Sequence, residues 1–246
     1  MSAESGSGLA MSFCRDTLGS EVVQMFVGPE KQLFQVHKTL LCSASEFFKR
    51  AFNGDFVEAF INQMDLPEDK PEVFAMFVAW LYSNGKLVFD LESCGAFSGV
   101  DELIQLYVFA DGKCCNALKN STMDMLRAGL AQSILHLDEK HIQYIFANTY
   151  STAEAPIRRF CVAWITYGMP KRWIDVEDVM ELFKSSPDIL MEYLSFQAEY
   201  PVPEIHYENP EISRMGRLYK PCFFHVHKVD EICTAGSQGN SWAMSD

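Results

Sequence analysis

Across 246 residues the chain carries 33 acidic against 20 basic side chains, a formal net charge of −13, and 48% of its residues are hydrophobic. A carboxylate excess of this size repels phosphate backbones and anionic lipid, which argues against nucleic-acid binding or membrane-surface attachment through a basic face. The apolar content is ample for one large packed domain or two modest ones.

No apolar run approaches the ~20 residues of a bilayer-spanning helix. The opening MSAESGSG has neither the basic nor the apolar region of a secretory leader. The eight cysteines form no Cys-x-x-Cys pair. They read as reduced thiols, several of them packed as small hydrophobes, in a cytoplasmic or nuclear protein.

In chain order, residues 1–14 are small and polar and are expected to be disordered. Glu21 to Val27 is rich in β-branched and aromatic residues, and Gly28-Pro29-Glu30-Lys31 separates it from the alternating run Leu33-Phe34-Gln35-Val36. That pattern is a hairpin. At His37-Lys38 the spacing changes to helical. Ser43, followed three residues later by Glu46, has the form of a capping box. A second helix is expected there, with Phe47, Phe48, Ala51 and Phe52 on one face.

Asn62 to Leu66 supplies a third short strand, which Pro67 ends. Pro71 sits at a helix start, followed by Phe74, Phe77, Val78 and Leu81 at the spacing of a buried stripe. Asn84-Gly85 turns the chain into Lys86-Leu87-Val88-Phe89, and a loop follows from Asp90 to Val100. Leu103, Leu106, Tyr107 and Ala110 mark the next helix. Leu118 to Ile134 is another, with Met123, Leu126 and Leu130 on one side.

Further helices follow. Ile142, Ile145 and Phe146 form one stripe. Pro156 opens a helix with Ile157, Phe160, Cys161, Trp164 and Ile165 on its face, closed by Gly168 and Pro170. Asp175 can cap a helix bearing Val179, Met180 and Phe183, and Ser186-Pro187 starts one with Leu190, Tyr193 and Leu194. From Pro201 the periodicity is lost, and residues 201–246 read as a flexible tail.

Within that tail Cys222, His225, His227 and Cys233 could supply a tetrahedral zinc set, but their spacing fits no common finger. A weakly ordered tail without metal is the favoured reading. No Gly-rich phosphate loop, G-x-S-x-G or His-Glu-x-x-His motif appears, and His37 has no nucleophile or carboxylate motif beside it. No enzyme chemistry and no cofactor are expected.

Phe34-x-x-His37-Lys38-x-x-Leu41-x-x-x-Ser45-x-x-Phe48 resembles the strand-to-helix motif of the BTB (POZ) domain. Gly54-Asp55-Phe56-x-Glu58 resembles the family's "F-x-E" stretch, and Leu66-Pro67-Glu68-Asp69 its third strand and turn. Phe74-x-x-Phe77-x-x-Trp80-Leu81-Tyr82 and Leu103-x-x-Leu106-Tyr107-x-x-Ala110-Asp111 resemble two of its helices. Two mild departures stand beside these: Glu21 where the family usually has Asp, and Ser83-Asn84-Gly85 where it has a two-residue turn.

The resemblance is closest to the short BTB proteins of filamentous fungi, which lack a recognised partner domain. It implies an α+β fold: a small three-stranded sheet flanked by a helical cluster over residues 15–135, then an all-helical extension over 136–200. His37 would be structural in that fold, and Phe47, Phe48, Phe52, Phe74 and Phe77 would be core.

The function implied is protein–protein interaction, homo- or hetero-oligomeric, with no chemistry of its own. One version is a substrate adaptor of a cullin-RING ubiquitin ligase, bringing an unknown protein substrate to a cullin scaffold through Asp55, Phe56, Glu58, Tyr82 and Tyr107. The alternative is a self-associating scaffold with no ubiquitin-ligase role. Homodimer contacts would involve Thr39, Leu40 and Ala44 on the first helix, a patch of the self-complementary kind that two-fold symmetry requires. A corepressor or channel-tetramerising role would need DNA-binding or membrane segments that these residues do not show.

Overall fold

A computed structural model describes residues 18–87, 98–150, 155–200, 209–211 and 222–227. The chain divides into two compact units, residues 1–68 and 69–246.

The first unit is built on the predicted hairpin and third strand. β1 (Val22–Val27) pairs antiparallel with β2 (Gln32–His37) and parallel with β3 (Gln63–Leu66), giving the order β2-β1-β3. Alternation puts Val23, Met25, Val27, Val36, Met64 and Leu66 on the buried face. Gln24, Gln35 and Gln63 take the other face, where the Gln63 amide donates to Gln24 Oε1 at 3.0 Å. A one-residue slip in any strand would turn those methyls to solvent, which fixes the register.

Among the described residues of this unit three short helices follow the hairpin: α1 (Lys38–Ala44), α2 (Glu46–Asn53) and α3 (Val57–Ile61). The expected Ser43 cap is not the one used. Ser43 lies inside α1 and its hydroxyl donates to Leu40 O at 2.8 Å, whereas Ser45, extended between the two helices (φ −137°, ψ 123°), accepts from the Phe48 N–H at 3.2 Å. A capping residue must be non-helical for its oxygen to reach back over the first turn, and only Ser45 meets that condition. Glu46 then sits in the first turn, where its charge favours the helix dipole. Phe48, Ala51 and Phe52 are buried as predicted, and Phe47 is partly covered, edge-on to Phe48 at 5.1 Å.

The second unit is helical: α4 (Pro71–Tyr82), α5 (Ser98–Gly112), α6 (Asn116–Ala131), α7 (Glu139–Asn148), α8 (Pro156–Gly168), a 3₁₀ turn (Met169–Lys171), α9 (Val176–Ser185) and α10 (Pro187–Glu199). α4 buries Val73, Phe74, Phe77, Trp80 and Leu81, so Trp80 takes the place expected for Val78, which is only partly covered. Asn84 (φ 57°) and Gly85 (φ 77°) make the predicted tight turn, closed by Gly85 N–H to Trp80 O at 3.1 Å. Val88, Phe89 and most of the expected loop to Val100 lie outside the described residues.

Leu103, Tyr107, Met123, Leu126, Leu130, Ile142, Ile145, Phe146 and Phe160 join one hydrophobic core. Helices on both sides of residue 135 therefore share it. At its centre α8 departs from the expected one-faced stripe: every residue from Pro156 to Gly168 except Arg159 is buried.

That includes Arg158, 2% exposed. Its guanidinium donates to Thr149 Oγ1 (2.9 Å), Phe146 O (2.8 Å), Thr149 O and Glu192 Oε1 (2.8 Å), and lies 4.6 Å from the Phe146 ring centroid. Phe146 O in the last turn of α7 and Thr149 O just past it are satisfied by this one cation, and Glu192 of α10 balances its charge.

The two outer helices show a shifted face. α9 buries Val179 and Leu182 while Met180 stays 51% exposed, and α10 buries Ile189 and Phe196 while Leu194 is 53% exposed. Asp175 occupies the predicted N-cap position of α9 without making a side-chain cap bond.

Part of the expected flexible tail is docked. Phe224 is buried edge-on to Phe160 at 5.5 Å, with the Arg127 guanidinium 5.0 Å from its ring centroid. Asn120 donates to Val226 O and accepts from Val226 N–H, both at 2.9 Å, in the manner of a paired strand. Arg127 Nε donates to Pro210 O at 2.8 Å, and Trp164 Nε1 donates to Glu211 Oε1 at 3.1 Å. The buried Phe224 ring, the Asn120–Val226 bonds and the approach of His225 to Asp124 at 2.9 Å help to hold a segment too short to show any period.

Candidate protein-interaction surfaces

α2 ends where Gly54 donates to Arg50 O at 3.0 Å. A Cβ at Gly54 would stand 2.5 Å from that same oxygen, so only glycine permits the approach. The chain then runs through exposed Asp55 to Phe56, which is extended (φ −84°, ψ 157°) and opens the five-residue α3. Asn62, left-handed at φ 53°, stops α3 with its N–H on Glu58 O.

Between these two devices no residue of α3 is buried. Phe56 is 60% exposed, Val57 63%, Phe60 78% and Ile61 52%, with Glu58 partly covered in the first turn. Single exposed apolar side chains are ordinary, but four within six residues form a patch of the kind that marks an interaction site.

Of the residues expected to meet a cullin, Asp55 and Phe56 are exposed, Glu58 is partly covered and Tyr82, at the end of α4, is half-buried. Tyr107 is corrected: at 2% exposure it belongs to the core of the second unit and is no surface contact. Its spacing from Leu103 and Ala110 puts it on the inward side of α5, and burial pushes its hydroxyl well above the ordinary tyrosine range, with Asp111 adding to the rise. Val57, Phe60 and Ile61 were not anticipated. The available signal was their position, since a run bracketed by a glycine and an αL asparagine is too short for a helix that spans a core.

The expected dimer residues on α1 divide: Thr39 is exposed, whereas Leu40 and Ala44 are partly covered. The strand-to-helix motif is structural. Leu41 and Phe48 are fully buried, Ser45 is the α2 cap, and Lys38 is held by its N–H to Glu21 O (2.9 Å) and its ammonium to Glu21 Oε2 (3.3 Å). His37 stands at the N-cap of α1 without a side-chain cap bond, and Phe34 is partly buried on β2.

Among the described residues no three His, Cys, Asp or Glu side chains converge on a point that could hold a metal ion. His225 Nε2 lies 2.9 Å from Asp124 Oδ1, the ring nitrogens of His227 are buried without a hydrogen-bond partner among the described residues, and Cys233 lies outside them. Burial raises the thiols of Cys42, Cys115 and Cys161, Cys115 to about 11, away from the reactive thiolate form.

Residues 20–98 match the family model of the BTB/POZ domain. The chain carries a BTB/POZ domain. The match takes in the three-stranded sheet and α1 to α4, and the helices from α5 onward lie almost wholly beyond it. An α+β domain with a small sheet and further helices behind it in sequence is thus the architecture, and the role that goes with a BTB/POZ domain is that of a protein–protein interaction module. No curated protein matches the chain.

Proposed function

We propose that the chain is a substrate adaptor that docks on a cullin scaffold through α3, with Phe56, Val57, Phe60 and Ile61 as the apolar contact and Asp55 and Glu58 as its acidic border. The exposed apolar patch between Gly54 and Asn62 carries this reading. The patch has no use in the core, and burying a Phe or Ile side chain on a partner is worth roughly 1.5–3 kcal/mol before the costs of association. Such an assembly would operate in the cytoplasm or nucleus, where Cys42, Cys114, Cys115 and Cys161, all free thiols, stay reduced.

A second reading, self-association through the side of α1 bearing Thr39, Leu40 and Ala44, is favoured by the exposure of Thr39 and the open edges of its two neighbours. Light scattering after size exclusion separates the two. The full chain mixed with the N-terminal region of the cullin that serves BTB proteins is expected to co-elute, and Phe56→Ala together with Phe60→Ala to abolish the complex. A self-associated species that ignores the cullin would replace the adaptor with a scaffold. A monomer at micromolar concentration would remove the α1 dimer.

A further inference from the structure

α9 and α10 pack on each other as a hairpin at the end of the helical unit. Their inward residues are Val179, Leu182, Ile189 and Phe196. What they leave outside is also apolar. Val176 (62% exposed), Met180 (51%) and partly buried Phe183 recur at i, i+4 and i+7 along one side of α9. The Phe183 ring meets Tyr193 of α10 at 5.2 Å, next in the chain to exposed Leu194 (53%), which shares the outer side of α10 with Met191 (62%) three residues before it.

The surroundings are strongly acidic. Residues 175–199 hold seven carboxylates against a single lysine, a net −6 that is nearly half of the chain's −13. The lysine, Lys184, is paired with Glu181 at 2.6 Å, and Glu192 is taken by Arg158. Asp175, Glu177, Glu181 and Glu199 are exposed around the apolar side chains.

We infer that the outer face of the α9–α10 hairpin is a docking surface for a basic amphipathic helix of a partner protein. The two methionines suit such a surface, because an unbranched thioether repacks against different apolar shapes at little cost. The occupant would lay an apolar stripe over Met180, Phe183, Tyr193 and Leu194 and set lysines or arginines against the acidic border. Charge complementarity decides between occupants: a second copy would bring another acidic border against the first, and nucleic acid or anionic lipid would be repelled. The inference does not rest on cullin binding by α3, and in an adaptor this face is where substrate would be held.

The test uses the full chain and two fluorescently labelled helical peptides with leucine at i, i+3, i+4 and i+7, one filled with lysine and one with glutamate. The lysine peptide is expected to bind, to weaken with added salt, and to lose roughly tenfold or more in affinity with Met180→Gln/Leu194→Gln and with Glu177→Lys/Glu181→Lys. The glutamate peptide is expected not to bind. Circular dichroism should be unchanged in both variants and the thermal midpoint unchanged in Met180→Gln/Leu194→Gln, whose side chains are exposed, with a small fall in Glu177→Lys/Glu181→Lys, which removes the Glu181–Lys184 pair and a first-turn carboxylate. Failure of the lysine peptide to bind, equal binding of the glutamate peptide, or unchanged affinity in both variants would overturn the inference. So would a dimer of the full chain that Met180→Gln/Leu194→Gln dissolves.

Discussion

α3 and α8 are both apolar helices, and the chain treats them in opposite ways. α3 is five residues long, has no buried residue, and presents phenylalanine, valine and isoleucine to solvent. α8 is thirteen residues long and buried almost all round, yet the first unit of chain it draws inside after Ile157 is an arginine. Hydrophobicity therefore does not sort these helices into core and surface. Length and bracketing do: α3 is cut off by Gly54 and Asn62 after little more than one turn, whereas α8 is long enough to be covered from several sides. A polar group enters the middle of such a helix when it is fully bonded there, as Arg158 is by the end of α7 and by Glu192.

Disrupting the second member of this pair should have the largest effect. Arg158→Ala strips donors from the buried carbonyls of Phe146 and Thr149 and leaves Glu192 without its cation, at a cost of about 3–5 kcal/mol read as a fall in the urea midpoint. Tyr107→Ala should fall in the same range of about 3–5 kcal/mol because it empties a fully packed site. An effect near zero for Tyr107→Ala would return that residue to the surface.

Phe224→Ala should cost less, about 2 kcal/mol, because releasing a peripheral segment limits the loss. It should also speed amide exchange at Val226, whose N–H is bonded to Asn120. Phe60→Ala should move stability by no more than about 0.5 kcal/mol, since its ring is 78% exposed. A larger loss would show that α3 is needed by the fold and weaken its reading as a contact.

The smallest effect is a pH dependence. Burial raises the Glu211 carboxyl above its ordinary 4.5, against the opposing bonds from Trp164 and Asn209. The folded state therefore holds this proton more tightly than the unfolded state. The contribution is fully present below 4.5 and declines as pH rises through the raised folded value. Glu211→Gln should flatten that part of the stability–pH curve relative to the parent chain.

Where local rules suffice, the sequence reading holds. The alternation of β1 and β2, Pro71, Pro156 and Pro187 at helix starts and the Asn84-Gly85 turn depend on neighbours in the chain, and each appears where expected. The Ser43 cap failed because the serine with a glutamate three residues on lies inside α1, whereas Ser45, followed three residues on by Phe48, is the one that the break between α1 and α2 leaves extended. The faces of α9 and α10 failed for a different reason. Both helices have apolar residues on more than one side, so periodicity admits several stripes, and the packing of α9 on α7, of α10 on α8 and of the two on each other selects Val179, Leu182, Ile189 and Phe196.

The residues of the strand-to-helix motif, the three strands and the helix starts were determined by the sequence itself, through pleat, caps and proline, and with them the BTB/POZ domain. Tertiary structure alone decided that Tyr107 is core, that Phe224 is docked, that Arg158 is inside and that Phe60 and Met180 are outside. Burial of a side chain is a property of what covers it, and the covering residues lie far away in sequence, where no local period reaches.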